Sequence, residues 1–322
     1  MSRQALRPFL APQKLSALLP LLERNLAKLS AQSAATPAPR ASVAAVFRWR
    51  EREQHTLELL LVRRSINERD TWSGQVAFPG GKRQKRAIEG SDPLDIAAIK
   101  ANEKNDDVPW ESPRETATRE TMEEIGLDLT APNVRWIGSL PAIQTHLRTL
   151  WVSTQVFVMG TPAEEQELAL RIQESEIADV FWVDIQELFN PIRFQPLVWP
   201  IEDMIRPLAT RPQLREFVRK VFGDLVFKCI YLPRPTHALP DEDMTVRHPF
   251  DFILWGLTLR MISDLFVEAK VPLPVHDVMP HFESRLGGDL ALFLYRYPDK
   301  ALMRGASIAA LAAAVSFGLS RL

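Results

Sequence analysis

The chain has 322 residues, 46% of them hydrophobic and 25% charged, with a formal net charge of -1 and a single cysteine. That length supports one large domain or two modest ones with a core that needs no covalent staples, and the composition excludes both wholesale disorder and a polytopic membrane protein. No basic excess of the kind that phosphate-backbone binders need is present, so nucleic acid is not expected as a partner. Cys229 alone excludes an internal disulfide and any multi-cysteine metal site.

Between Met1 and Glu23 there is no acidic residue, while Arg3, Arg7 and Lys14 stand among Leu, Ala, Ser and Pro, a composition shared with mitochondrial transit peptides. Ala31 to Ser42 is a small-residue, proline-containing linker, which makes residues 1–41 an amino-terminal extension. Strands are predicted over Ser42 to Trp49 and over Thr56 to Val62, the second so continuously apolar that it belongs in the middle of a sheet. Gly74 to Gly81 (GQVAFPGG) is a short apolar strand closing on a glycine pair, where backbone turns sharply or comes close to a ligand. The polar stretch of about 83–109 is a surface insertion.

Ser112, Pro113 and Glu115 supply an N-cap, a first-turn proline and a capping-box acid. They predict a helix running to Ile125 and stopping at Gly126. Strands follow at Val134 to Leu140, Leu150 to Met159 and Val180 to Val183, so residues 42–191 make a mixed sheet with one conspicuous helix, a three-layer α/β arrangement. Residues 192–322 form a proline-punctuated helical extension whose strongest helix covers Phe250 to Glu268. Ala306 to Leu319 is uncharged and alanine-rich but short of a bilayer span, so no stable membrane insertion is expected.

The chemistry is concentrated in Arg119-Glu120-Thr121-Met122-Glu123-Glu124-Ile125-Gly126. Glu120, Glu123 and Glu124 fall at i, i+3 and i+4, on one face of the predicted helix, where like charges repel by roughly 0.2–0.5 kcal/mol per pair. Divalent cations would offset that repulsion, and oxygen-only ligands favour Mg²⁺ or Mn²⁺. A general base is also needed: a helix glutamate, or Glu174 or Glu176 in the loop before the last strand. Arg63, Arg64 and Arg69 are candidates to grip phosphate, Trp72, Phe78 and Trp151 to stack on a base, and His146 to face the site from a loop.

Gly81, Glu111, Arg119-Glu120, Glu123-Glu124, Gly126 and Leu127 together resemble the Nudix box, and the resemblance covers roughly Ser42 to Pro191. It implies a Nudix-type three-layer α/β/α sandwich and metal-dependent cleavage of a diphosphate bond in a nucleoside diphosphate linked to another moiety. Carried over, Glu120, Glu123 and Glu124 are the metal ligands, Arg119 orients a glutamate, and Glu111 is a peripheral member. With Glu176 as base, the catalytic set is Glu120, Glu123, Arg119 and Glu176, and the substrate contacts are Arg64, Gly80, Gly81 and Phe78. Two departures stand out: the insertion before the helix, and Thr121 where the pattern prefers an aliphatic residue.

Leu61-Val62-Arg63-Arg64-Ser65 followed by Gly74 to Gly81 further resembles the coenzyme A diphosphatase branch, although Asn67 to Ser73 lacks that branch's histidine. A coenzyme A-like substrate is therefore the first expectation, other dinucleotides or nucleotide derivatives the second, and a non-catalytic ligand-binding module the alternative of a different class. Ser320-Arg321-Leu322 is a conservative variant of a peroxisomal address and competes with the transit-like amino terminus. A homodimer is the oligomer to look for.

Overall fold

The fold is that of a computed structural model, which describes residues 9–32, 40–50, 55–67, 73–86, 108–145, 150–160, 170–199, 216, 219–220, 223–235, 252–275 and 281–284. Residues 1–195 with 228–278 form one compact unit, and residues 196–227 with 279–322 a second. Arg69, Trp72, His146, most of the insertion and the carboxyl-terminal tripeptide, all singled out in the sequence, lie outside the described residues.

The first unit is organised around β1 (Ala41–Trp49) and β2 (Leu57–Arg64). Along the sheet the order runs from β3 (Val76–Ala77) through β2, β1 and β7 (Trp151–Met159) to β5 (Val134–Ser139). Off this path, β4 (Gly80–Lys82) pairs with β1, β6 (Ile143–Gln144) with β7, and β8 (Ile177–Asp184) with β2. The β1/β7 pairing is parallel and the other pairings with registered partners are antiparallel, so the sheet is mixed, as expected.

Burial on both faces explains the unbroken apolar run of β2. Leu57, Leu59 and Leu61 face a cluster that includes α1 (Pro12–Gln32) and α3 (Gly256–Glu268), whereas Leu60 and Val62 face a second cluster that includes α2 (Pro113–Ile125). Helices thus cover both faces of the sheet, giving the three-layer α/β/α sandwich. Sequence reading assigned no element to the segment now seen as α1. Its Leu15, Leu18, Leu19, Leu22 and Leu26 are all buried, and the Asn25 side-chain amide donates to the carbonyl of Glu268 at the end of α3 (2.7 Å). Removing such leucines from water is worth about 2 kcal/mol each, which is what fixes this helix on the sheet.

The described part of residues 192–322 holds the expected helix as α3 and strands besides. Among its described residues are the strands β9 (Phe194–Trp199), β10 (Leu225–Tyr231), β11 (Ile253–Leu254) and β12 (His281–Phe282). Leu225 to Tyr231 (LVFKCIY) is rich in β-branched and aromatic side chains, which suit a pleated surface. Ile253 and Leu254 pair with Tyr231 and Ile230, so within the described part of the predicted helix over Phe250 to Glu268 these two residues are strand and the helix begins at Gly256, whose φ is 59°. Among the described residues no helix is long and apolar enough to cross a membrane.

Candidate active site

The glutamate-bearing helix is fixed at both ends by its own sequence. The Ser112 hydroxyl accepts from the Glu115 amide (3.2 Å) while the Glu115 carboxylate accepts from the Ser112 amide (2.6 Å), closing the predicted capping box. Gly126 ends the helix at φ 70°, its N–H donating to the Met122 carbonyl. Thr121, where an aliphatic residue was expected, is fully buried and tolerated because its hydroxyl donates to the Ala117 carbonyl (2.7 Å).

Arg119 is the hub of the helix. Its Nε and Nη2 donate to the two oxygens of Glu111 (2.7 and 3.1 Å), its Nη1 lies 3.0 Å from Glu120 and 2.8 Å from Glu123, and Nη2 also donates to the Lys82 carbonyl (3.0 Å). Burial pulls the guanidinium pKa down, but the Glu111 hydrogen bonds and the charges of Glu120, Glu111 and Glu123 outweigh it and raise it well above its ordinary value. Glu111, outside the described cavity lining, is thus the two-pronged partner of Arg119. It also accepts from the Gln84 amide (3.1 Å) and the Thr116 hydroxyl (3.1 Å), and the Arg86 amide donates to the Pro109 carbonyl (2.9 Å). The insertion is thus tied off at its base beside the helix.

Glu120 and Glu124 look into a cavity of about 410 Å³, together with Glu176, Arg64 and Lys82. Gly80, Gly81, Ser65, Asn67 and Ser175 complete its described lining. The glycine pair is there for closeness: a Cβ on Gly81 would stand 2.4 Å from the Glu120 carboxyl carbon, and the Gly80 amide donates to Glu124 (2.9 Å) from a backbone at φ 149°. Burial pushes the Glu124 carboxyl up to about 8, against the Gly80 hydrogen bond and with Glu120 and Glu176 adding to the rise. Burial likewise raises Glu120, more than Arg119 lowers it. Glu120, Glu124 and Glu176 thus line one polar cavity, the two helix carboxyls with pKa values raised by burial, and a divalent cation held there by oxygen ligands would offset that burial of negative charge.

Glu123 does not join them. Its side chain is 52% exposed and paired with Arg119, so the expected set of three helix glutamates is split, and among the described residues no three acidic or imidazole side chains are gathered as they stand into a metal-holding group. Phe78, expected to contact substrate, is instead 3% exposed in the core. Arg63 points to the sheet face opposite Arg64, its guanidinium over the Phe252 ring (5.2 Å), and Trp151 and Glu174 are outside the cavity lining. Sequence reasoning missed Lys82, Asn67 and Ser175. The signal for Lys82 was its place directly after the glycine pair.

Residues 38–205, more than half of the chain, match the family model described as the NUDIX domain. The chain belongs to the NUDIX family. It is also 27% identical over 262 residues to an uncharacterized protein of Schizosaccharomyces pombe, an alignment covering 72% of this chain and 66% of that one, so the chain spans just under two thirds of its relative's length. Solved structures similar to it include a Caenorhabditis elegans Ap4A hydrolase binary complex (14% identity, 56% of this chain and 94% of that chain, TM-score 0.28). The NUDIX domain of Shewanella oneidensis NrtR complexed with ADP ribose is another (19%, 60% and 97%, TM-score 0.28). A third is a NUDIX hydrolase from Alicyclobacillus acidocaldarius (21%, 55% and 86%, TM-score 0.28).

Proposed function

We propose that this NUDIX-family protein is a pyrophosphohydrolase that cuts the phosphoanhydride of a nucleoside diphosphate linked to another moiety, with a coenzyme A-like compound as substrate. The observation that carries this reading is the convergence of Glu120, Glu124 and Glu176 with Arg64 and Lys82 in one polar cavity beside the glycine pair. Glu120 and Glu124 would hold Mg²⁺ or Mn²⁺, which when bound neutralises diphosphate charge and lowers the pKa of water. Glu123 would join only by leaving Arg119.

The residues of the chain divide the remaining work. Arg64 and Lys82, the cations of the described lining, bind phosphate oxygens. Gly80 and Gly81, without side chains, let the substrate approach the helix. Glu176 takes the proton of the attacking water at its carboxylate. Arg119 fixes Glu120 by a direct ion pair and holds the base of the insertion through Glu111. The coenzyme A preference rests on the upstream resemblance: Arg64, Ser65, Gly80 and Gly81, all within it, line the cavity.

The deciding experiment incubates the protein with Mg²⁺ or Mn²⁺ and coenzyme A, dinucleotides and nucleotide sugars, beside a Glu120→Gln/Glu124→Gln variant. Metal-dependent release of a phosphate ester by the wild type, lost in the variant, is the expected result. Absence of turnover with tight binding of one compound would instead establish a ligand-binding module.

A further inference from the structure

Glu176 sits in a segment without regular secondary structure, between Leu170 and the start of β8, yet it must face Glu120 and Glu124. Three sets of bonds hold this segment. Arg171 and Gln173 donate their amides to the Ile125 and Glu124 carbonyls (2.8 and 2.9 Å), tying it to the end of the glutamate helix. The Gln173 carbonyl accepts from the amides of Glu176 and Ile177 (both 2.9 Å), closing a tight turn. The third set comes from Ser65: its amide donates to the Glu176 carbonyl (2.8 Å) and its hydroxyl to the Glu174 carbonyl (2.8 Å).

Ser65 is placed to do this by an irregularity in the sheet. The β2/β8 register shifts between Arg63 and Arg64, so that Arg63 lies opposite Asp179 but Arg64 opposite Ile177. Such bulges re-aim the residues that follow them, often at functional sites. Ser65 is anchored in its turn, since its carbonyl accepts from the Gly74 amide and the Ser73 hydroxyl (both 3.4 Å). One residue thus joins the end of β2, the turn before the glycine pair and the loop of Glu176.

We propose that Ser65 is a positioning residue, whose hydroxyl clips the Glu174–Glu176 turn so that the Glu176 carboxylate is aimed at the water that attacks the diphosphate. This rests on the hydrolase reading above. The Ser65 hydroxyl reaches this turn as a side-chain donor from outside it, so this bond can be removed while the backbone ties remain.

The test is a double-mutant cycle on the full chain with the substrate that the panel identifies, measuring kcat, KM and thermal midpoint for Ser65→Ala, Ser65→Thr, Glu176→Gln and Ser65→Ala/Glu176→Gln. Misplacing a reacting group by about 1 Å reduces rate by up to 10²-fold, and the backbone ties limit the drift here. Ser65→Ala is therefore expected to lower kcat about tenfold with KM within twofold. Ser65→Thr, which keeps the hydroxyl, should recover most of that loss. In the Glu176→Gln background, where the base is already gone, Ser65→Ala should change kcat by less than about twofold. A purely structural Ser65 would lower activity by the same factor in both backgrounds, and that result, or a Ser65→Thr as slow as Ser65→Ala, overturns the proposal. If Ser65→Ala does not fold, the Ser65→Thr comparison carries the decision. A wild type that cleaves nothing on the panel overturns the hydrolase reading and the proposal with it, whereas an active wild type with multiplicative losses overturns the proposal alone.

Discussion

Arg119→Met isolates what the hub arginine contributes, because methionine fills similar space without donors. The substitution leaves Glu111, 9% exposed overall, without its two-pronged partner at 2.7 and 3.1 Å. Removing one partner of a buried charged pair costs about 3–5 kcal/mol, and Glu111 keeps its bonds from Gln84 and Thr116, which places the expected loss at the lower end, about 3 kcal/mol. The Glu123 contact adds little: that carboxylate is 52% exposed, and exposed i,i+4 pairs are worth about 0.5 kcal/mol or less. Urea and thermal unfolding should show the midpoint falling by roughly 6–12 °C. Arg119→Lys, keeping the charge but not the fork, should lie between. In an Arg119→Met/Glu111→Gln cycle the coupling should exceed about 1 kcal/mol. Coupling below about 0.5 kcal/mol would show that Glu111 is held by its other partners and that Arg119 is not the hub described above.

Three further outcomes follow from the same geometry. Gly81→Ala places a Cβ 2.4 Å from the Glu120 carboxyl carbon, so it should lower kcat by about 10²-fold while the fold persists; near-normal turnover would remove Glu120 from the chemistry. Leu22→Ala, at a fully buried position of α1, should destabilise by about 2–5 kcal/mol, whereas an unchanged urea midpoint would mean that α1 is not docked on the sheet. The Ser112 amide first, then Arg86, hold Glu115 at about 2 rather than 4.5. A carboxyl lowered in the folded state contributes stability above its unfolded pKa and loses it as pH falls through the folded one, so the contribution disappears between about pH 4.5 and 2. Glu115 is half exposed, and screening reduces that contribution to about 1 kcal/mol. Glu115→Gln should flatten the acid limb of the stability curve by that amount; parallel curves for the two proteins would contradict the capping box.

What the sequence made legible was mostly what short-range chemistry decides. The caps of α2 lie in the identities of Ser112, Pro113, Glu115 and Gly126, and the centrality of β2 in its unbroken apolar run, so both could be read locally. The strands beyond Pro191 could not, because Ile253 and Leu254 are extended only by virtue of pairing with Ile230 and Tyr231, more than twenty residues away. For α1, a proline at position 20 and the absence of a first-turn acid hid a helix that tertiary packing supports. Phe78 was misplaced for a related reason: just past β3 it packs into the same core cluster as Val76, while the neighbouring glycines meet the helix.

The split of the three glutamates shows where spacing alone stops being informative. At about 100° per residue, Glu124 lies about 40° around the helix from Glu120, whereas Glu123 lies about 60° to the other side, only about 40° from Arg119. The i,i+4 relation therefore draws two pairs: Glu120 with Glu124 into the cavity, and Arg119 with Glu123 toward solvent. One helix face carries an acid pair whose pKa values burial raises and, beside it, the Arg119–Glu123 ion pair. A cation entering the cavity would compensate the first pair alone. Glu123 would be released only if its bond to Arg119 were exchanged for one to that cation, and Glu123→Gln should accordingly impair turnover less than Glu120→Gln or Glu124→Gln at saturating Mg²⁺. Equal losses in the three variants would mean that the exchange takes place and that all three glutamates hold the ion.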